Sequence, residues 1–238
     1  MGSRLKLGDI TVDVVKKDIR NIHLSVYPPT GRARISAPSR MTDDAIRGFA
    51  ISRLGWIRKQ QKKMLDQERE TPREYLDRES HYIWGERCLL KVVEEDRASS
   101  VSLNHKTMIL RVRPGSDQAK REEVLHAWYR AQLKAAVPEL IVRWEEKIGV
   151  SVREFGIKKM KTRWGTCNPE ARRIWLNLEL AKKPVTCLEY IVVHEMIHFI
   201  ERRHNTRFIS LMDTFLPQWR TYRDQLNRLP VRHEDWRY

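Results

Sequence analysis

At residues 192–200 the sequence reads Val-Val-His-Glu-Met-Ile-His-Phe-Ile, so an apolar run contains the pattern His-Glu-x-x-His. On a helix, residues four apart lie one turn apart on nearly the same face, and His194 and His198 can therefore direct two imidazoles at one ion. Glu195 follows the first histidine, where its carboxylate can accept a proton from a metal-bound water. Since catalytic zinc sites use three protein ligands and a water, the pattern predicts one zinc ion per chain.

A third protein ligand has to come from outside this pair. His204 follows His198 by six residues, in a polar segment that predicts the end or a bend of the helix. Such a bend would return the His204 ring to the metal. Glu201 is the rival ligand, but on a continuing helix it would lie two turns from His194, so we favour His204. Glu201 and Asp213 are then candidate hydrogen-bond partners for the ligating rings.

The residues around the histidines predict a buried helix. Pro184 stands where a new helix can begin, and residues 186–189, Thr-Cys-Leu-Glu, have the form of a capping box. Apolar residues recur at helical spacing and would form a buried stripe, namely Leu188, Ile191, Val192 and Phe199. A buried histidine pair without an ion needs other hydrogen-bond partners. This requirement counts against the alternative that both are core or surface histidines that bind no metal.

The composition describes a globular chain with a strong positive charge. Of the 238 residues, 41% are hydrophobic and 32% are charged, and the formal net charge is +15. This balance favours contact with polyanions such as nucleic acid, although a basic surface that serves only solubility is an equal alternative. The basic residues are spread beside Asp and Glu and form no single run.

Several classes of function find no support in the sequence. There is no Gly-rich phosphate loop and no Gly-x-Ser-x-Gly elbow. Cys167 fits a buried or metal-neighbouring thiol better than a nucleophile, because nothing in the sequence indicates a lowered pKa. Together with Cys88 and Cys187 it forms no disulfide framework, which favours a reducing compartment. The first six residues do not form a signal peptide and no apolar stretch reaches membrane-spanning length, so we expect a cytoplasmic protein without a membrane partner.

The first half of the chain has the periodicity of a β-rich region. Residues 22–27 and 33–36 alternate like strands and are joined by Pro-Pro-Thr-Gly, which predicts a hairpin. A helix is expected from Thr42 to about residue 70, where Thr71-Pro72 stops it. Further short strands are expected at 89–93, 101–103 and 108–112. No internal repeat is visible.

The second half of the chain is mostly helical. A long helix is expected from about Asp117 to Ile148, interrupted or kinked at Pro138. Shorter elements follow, with strands at 154–159 and 173–178 and helices at 208–216 and 219–229. The predicted fold class is α+β, with an N-terminal β-rich region containing one long helix at residues 1–115 and a helical region at residues 116–238.

Taken together, these motifs resemble the YgjP-like zinc metallopeptidases, a bacterial family of small gluzincin-related proteins, and are more distantly similar to the SprT-like proteases. The resemblance covers nearly the whole chain, including the hairpin at 26–37, Leu-Gly-Trp-Ile at 54–57 and Tyr-Ile-Trp-Gly-Glu-Arg at 82–87. Its most specific part is the order of four segments, namely Lys-Thr-Arg-Trp-Gly-Thr-Cys at 161–167, Leu-Asn-Leu at 176–178, residues 190–198, and His-Asn-Thr-Arg-Phe at 204–208. The ligand spacing also matches the metzincins, but Glu201 replaces their turn glycine.

The resemblance implies a minimal zincin-like metalloprotease core in the C-terminal region. It implies the zinc ligands His194, His198 and His204, with Glu195 as the catalytic carboxylate. It further implies that the strand at 173–178 forms the edge on which an extended peptide substrate pairs.

Two functional hypotheses follow from these observations. The first is a zinc peptidase that acts on protein or peptide substrates with Glu195 as general base; it also needs an oxyanion donor, for which Arg163 and Tyr222 are both candidates. The second is a nucleic-acid-associated binding module with a structural or vestigial zinc site, which the net charge of +15 supports. The intact Glu195 favours the first, because a structural site does not need that carboxylate. Neither hypothesis determines the physiological substrate or the oligomeric state.

Overall fold

The computed structural model of the protein describes residues 2–27, 30–65, 73–160 and 163–229. These residues form three sheets and six α-helices, which confirms the predicted α+β class. By their contacts they separate into two compact units, and the second unit spans Arg73–Leu229. The sequence placed a boundary at residue 115, but in the structure the strands that precede this position contact the long helix that follows it.

The first unit contains a four-stranded sheet. Its strands are β1 (Gly2–Leu7), β2 (Ile10–Lys17), β3 (His23–Tyr27) and β4 (Arg32–Pro38), in the order β1-β2-β4-β3. The predicted hairpin is the antiparallel pair of β3 and β4, while its Pro28-Pro29 lies outside the described residues. Alternate residues of β2 and β4 are buried in a core of this unit, because successive side chains of a strand point to opposite faces.

Two helices occupy the segment that was predicted as one. Helix α1 (Asp43–Ser52) begins at Thr42, whose side chain caps it, and helix α2 (Leu54–Leu65) follows at once. The break lies at Arg53, whose N–H donates to a carbonyl three residues back and so closes the last turn of α1 tightly. The predicted continuation of the helix to residue 70 and its stop at Thr71-Pro72 lie outside the described residues.

The second unit begins with a sheet that repeats the topology of the first. Its strands are β5 (Ser80–Ile83), β6 (Glu86–Glu94), β7 (Ser100–Asn104) and β8 (Thr107–Val112), in the order β5-β6-β8-β7. In both sheets the first two strands form a hairpin, the second pairs in parallel with the fourth, and the third pairs antiparallel with the fourth. The two sheets have the same order and direction of strand pairing. No internal repeat was visible in the sequence, so only the structure shows this similarity.

Helix α3 (Gln118–Ile148) crosses the second unit. The Asp117 side chain caps its first turn, and Gly149 ends it in a left-handed conformation. Of the predicted interruption or kink at Pro138, the interruption is wrong, because the helix is continuous, and the kink stays a prediction. Residues on both sides of the proline are buried, and this packing stabilises the helix. None of the described helices combines the length and the apolar composition needed to cross a bilayer.

A three-stranded sheet and three helices complete the second unit. The strands are β9 (Glu154–Lys158), β10 (Gly165–Asn168) and β11 (Arg173–Asn177), and after a short 3-10 helix (Leu178–Lys182) come α4 (Val185–Ile197), α5 (Thr206–Phe215) and α6 (Trp219–Arg228). Strand β11 lies between β10, its antiparallel neighbour, and β9, its parallel neighbour. The prediction that residues 173–178 form a substrate edge is therefore wrong, because both hydrogen-bonding edges of β11 are occupied. Strand β10 forms one edge of this sheet, and it contacts α4.

The turn between β5 and β6 supports the start of α4. The Trp84 N–H donates to the Ala181 carbonyl at 2.8 Å, and the Gly85 N–H donates to the Lys182 carbonyl at 3.3 Å. Gly85 has a φ of +86°, and a Cβ atom on it would lie 2.8 Å from Cγ of Pro184. Only glycine lets the turn lie this close to the residue that precedes α4.

Candidate metal centre

Helix α4 is buried on nearly every side, since nine of its 13 residues are buried. A helix that is apolar all round belongs in a protein core, and this one carries the His-Glu-x-x-His pattern into it. The capping-box prediction is wrong: the cap position is Pro184, no side chain caps the helix, and Thr186 lies within it. Glu189 instead accepts a hydrogen bond from Trp144 Nε1 at 3.0 Å, which ties α4 to α3.

The chain reverses where α4 ends. The helix stops just before His198, and Phe199, expected on its buried stripe, lies beyond the end and is partly buried. Asn205 then starts α5 as its N-cap, and its side-chain oxygen accepts a hydrogen bond from the Phe208 N–H at 3.0 Å. This reversal returns the exposed His204 to the end of α4.

Three histidine rings meet at this point, His194 from α4, His198 from the C-cap position of α4, and His204 from the turn. One nitrogen from each ring lies within 4.8 Å of the other two. The Nε2 atoms of His194 and His204 are 3.0 Å apart. Two nitrogens bound to one tetrahedral zinc ion at its usual bond length would be about 3.4 Å apart. The donor set and its spacing therefore fit a zinc ion.

The surroundings of His194 and His198 favour the neutral form of both imidazoles. Burial, followed by the nearby His198 and His204, lowers the pKa of His194 to about 3. Burial also lowers the pKa of His198. The Phe208 ring packs against all three imidazoles, with ring centroids 4.7 to 4.9 Å apart. Neutral imidazole is the form that binds a metal, so the apolar contact and the burial both favour ligation.

The candidate hydrogen-bond partners of the rings take different roles. Nδ1 of His198 lies 2.9 Å from the backbone carbonyl oxygen of Glu201, and donation to this oxygen leaves Nε2 for the cluster. The carboxylate of Glu201 is not part of the histidine cluster. Asp213 accepts a hydrogen bond from Trp219 Nε1 at 2.7 Å and holds no ligating ring. Nδ1 of His194 is buried and has no hydrogen-bond partner within the described part of the chain.

Glu195 lies beside the three histidines and is not one of the clustered groups. It is 5% exposed, and burial raises the pKa of its carboxyl to about 8, while Arg163 opposes the rise. Its side chain packs on Gly165 of β10, where a Cβ atom would lie 2.6 Å from Oε1 of Glu195 and 2.9 Å from its Cγ. Strand β10 and helix α4 together therefore determine where this carboxyl lies.

A cavity of about 820 Å³ lies in front of these groups. Arg163 lines it, whereas Tyr222, the other candidate oxyanion donor, is not among its described lining residues and donates its hydroxyl proton to Gln218 at 2.6 Å. Tyr190 was missed in the sequence, although it precedes His194 by one helical turn. It lines the cavity, and burial raises the pKa of its hydroxyl to about 12, so the group is protonated at neutral pH.

Asn177, at the end of β11, holds the segment that leads into β10. Its side-chain amide donates to the carbonyl oxygens of Arg163, at 2.7 Å, and Met160, at 3.0 Å. Its backbone N–H donates to the Trp164 carbonyl at 2.9 Å. Residues 161–162, part of the motif in which the resemblance was found, lie outside the described residues. The asparagine of the Leu-Asn-Leu motif thus positions one wall of the cavity.

Cys167 also lines the cavity and is partly buried. Burial and then the nearby Glu195 raise the pKa of its thiol to about 12. The nucleophilic form of cysteine is the thiolate, which this environment disfavours. The surroundings of Cys167 therefore suit an inert thiol beside the candidate metal centre.

Comparison with known proteins gives one family. The sequence model of a family described as YgjP-like, metallopeptidase domain, matches residues 20–229. The matched span includes the three clustered histidines and Glu195, and it agrees with the resemblance found in the sequence motifs. Neither the curated proteins nor the solved structures yield a match.

Proposed function

Because this chain belongs to the YgjP-like family, we propose that it is a zinc-dependent metallopeptidase that hydrolyses peptide bonds with Glu195 as general base. One observation carries the proposal. His194, His198 and His204 converge at a cavity in which a fourth group, the Glu195 carboxyl, is held next to them but outside the cluster. A structural zinc site has its coordination closed by protein ligands and needs no such carboxyl.

The residues divide the chemistry among themselves. The three histidines would hold a zinc ion, which when bound supplies a Lewis acid and lowers the pKa of a coordinated water. The charge of a bound zinc ion would lower the pKa of the nearby Glu195 carboxyl, which burial raises to about 8. In that state Glu195 would accept a proton from the attacking water and later donate it to the leaving amine. Arg163 is the candidate for hydrogen bonding to the oxyanion, because it lines the cavity and acts electrostatically on Glu195.

The substrate would bind along β10. In the described part of the chain this strand is hydrogen-bonded to β11 alone, so its other edge is open to an added strand. All four of its residues line the cavity that contains the histidines and Glu195. An extended peptide that pairs with β10 would pass these groups with its backbone fixed by main-chain hydrogen bonds.

The experiment compares wild type with Glu195→Gln, using Glu139→Gln on an exposed part of α3 as the matched control. We measure zinc content, thermal melting and cleavage of an unfolded protein substrate. Glu195→Gln keeps zinc and fold but loses cleavage by about a hundredfold or more, the usual contribution of a general base. Glu139→Gln changes none of the three.

Two results would contradict this function. Unchanged cleavage in Glu195→Gln would remove the general base from the mechanism. Loss of zinc in the same variant would make Glu195 a structural group. If zinc-loaded wild type cleaves nothing but binds DNA or RNA in a salt-dependent way, the nucleic-acid-associated module is the better description.

A further inference from the structure

The cavity beside the histidines carries a surplus of positive charge. Three arginines line it, and each comes from a different part of the second unit: Arg163 precedes β10, Arg202 follows α4, and Arg223 lies on α6. The carboxyl groups among its described lining residues are Glu170 and Glu195. Of these two, Glu195 is buried and has a role in the proposed chemistry, which leaves Glu170 as the one exposed carboxylate among the described lining residues, against three arginines.

Glu170 balances only one of them, and weakly. It lies 3.3 Å from the guanidinium of Arg202, and the two side chains are 82% and 67% exposed. Exposed ion pairs of this kind contribute little free energy, because water and salt screen them. Arg202 can therefore exchange Glu170 for a carboxylate on a ligand at small cost.

The other two arginines are also available to a ligand. Arg163 acts electrostatically on the buried Glu195 and forms no salt bridge in the part of the chain that the structure describes. Arg223 pairs with Asp224 at the surface, at 3.0 Å, and its guanidinium carbon lies 5.0 Å from the centre of the Trp219 ring. The aromatic contact favours one position of the guanidinium without using all five of its N–H donors.

Two of the cations lie near the ends of the edge strand. Arg163 lies two residues before β10, and Glu170, whose carboxylate lies 3.3 Å from the Arg202 guanidinium, lies two residues after it. The four residues of β10 span about 13 Å in an extended conformation. A peptide that pairs with β10 would therefore meet an arginine near each end of the paired segment, and Arg223 on α6 adds a third cation to the cavity.

We propose that this cavity selects peptides that carry a carboxylate close to the scissile bond, either the side chain of Asp or Glu or the free carboxylate of the C-terminus. The proposal names the substrate class and so rests on the proposed peptidase function. The chemistry is that of the guanidinium group, whose planar fork matches a carboxylate with two parallel hydrogen bonds. Lys in place of that Asp or Glu would put a fourth positive charge beside the three arginines, so we expect such a peptide to bind more weakly.

The test measures binding, so that its outcome does not depend on cleavage. Labelled ten-residue peptides share one sequence except for a central Glu, Gln or Lys, and each is made with a free or an amidated C-terminus. Fluorescence anisotropy gives their affinity for the zinc-loaded Glu195→Gln protein. Arg202→Gln and Arg223→Gln are then added singly, with Arg143→Gln as the control, since Arg143 lies on α3 and pairs with Glu139 and Glu189 outside the cavity.

We expect peptides with the carboxylate to bind about fivefold tighter than their Gln or amidated counterparts, the upper range for an exposed ion pair, and Lys peptides to bind most weakly. Arg202→Gln or Arg223→Gln removes most of this preference, whereas Arg143→Gln leaves it intact. The preference also falls at about 1 M salt, where charges are screened within roughly 3 Å. A preference that follows the central residue identifies the side chain as the source, and one that follows amidation identifies the C-terminus.

Equal affinity for the Glu, Gln and Lys peptides at both kinds of C-terminus would overturn the proposal, as would the absence of measurable binding by all of them. The proposal would also be overturned if Arg143→Gln lowered the preference for carboxylate peptides as much as the cavity variants do. The preference would then come from the basic surface as a whole and not from the cavity. The peptidase function has its own readout. That readout is cleavage of an unfolded protein by the zinc-loaded wild type. If this cleavage is absent, the peptidase function fails, while the ranking of affinities still decides whether the cavity selects carboxylates.

Discussion

Oε1 of Glu195 lies 2.6 Å from the point that a Cβ atom on Gly165 would occupy. Helix α4 and strand β10 approach each other here more closely than any residue with a side chain would allow. In the sequence, Gly165 stands in a turn-rich segment and gives no sign of this contact. Its lack of a side chain nevertheless decides where the candidate general base lies.

Gly165→Ala should impair cleavage with little effect on zinc. The added methyl group would meet the Glu195 carboxyl and also Cγ2 of Ile191, at 2.9 Å, and displace the carboxyl from the ligated water. A displacement of about 1 Å at a catalytic group can cost a hundredfold in rate. The control is Gly48→Ala in α1, where a Cβ atom meets nothing within 4 Å. Full activity in Gly165→Ala would show that the carboxyl position is not critical.

The zinc content of histidine variants tests the ligand set. Wild type should hold about one zinc ion per chain, because three imidazoles converge on one point. His194→Ala and His198→Ala should lose most of it, and His204→Ala should bind zinc more weakly and lose activity as well. His23→Ala, an exposed histidine of β3, serves as the control and keeps the metal. Elemental analysis that finds full zinc in both His194→Ala and His198→Ala would rule out this site.

Asn177→Ala should destabilise the protein and loosen one wall of the cavity. The variant leaves the carbonyl oxygens of Met160 and Arg163 without their hydrogen-bond donor at a position that is 5% exposed. Both hydrogen bonds are partly buried, and the loss of each costs about 1 kcal/mol. Urea unfolding measures the loss, with the exposed Asn104→Ala as the control. A midpoint equal to that of wild type would contradict the role assigned to this side chain.

Asn205→Ala separates the cost of losing a helix cap from an effect on the metal. It removes the N-cap of α5, worth about 1 kcal/mol, and frees the turn that returns His204 to the cluster. Zinc affinity, measured by competition with a chelator, should fall. Thr42→Ala removes the cap of α1 in the first unit and should lower stability by a similar amount with zinc affinity unchanged. Equal zinc affinity in the two variants would show that the α5 cap does not hold His204.

Cys167→Ala should leave zinc content and peptide cleavage nearly unchanged. Burial raises the pKa of this thiol to about 12, so little thiolate exists at neutral pH to act as a nucleophile. The steady-state rate of the variant on an unfolded protein substrate measures this directly. A loss of activity as large as that of Glu195→Gln would point to a cysteine-dependent reaction instead.

The sequence by itself determined the features that depend on neighbours along the chain. The four-residue spacing of His194 and His198 places both on one face of any helix, and the apolar residues around them require that helix to be buried. Strand and helix periodicity predicted the α+β class and most of the elements, because the repeat lengths of 2 and 3.6 residues are local properties. The motif order also identified the family that the comparison confirmed.

Local pattern failed where a feature depends on hydrogen-bond partners. Residues 186–189 have the composition of a capping box, but the helix begins before them, at Val185. Pro138 lacks a backbone N–H and predicted a break, but buried neighbours keep α3 continuous. In both places contacts with distant residues outweigh a preference of roughly 1 to 3 kcal/mol.

Only the tertiary structure decided which strand is the edge and which groups share the cavity. Residues 163–169 have no strand periodicity, but pairing with β11 makes β10 a strand and leaves β11 no free edge. Arg202 and Arg223 are brought together with Arg163 by the packing of a turn and a helix against α4. These residues are about 20 to 60 positions apart in the chain. Periodicity reports the face on which a side chain lies, but the residue opposite that face is determined by how the elements pack.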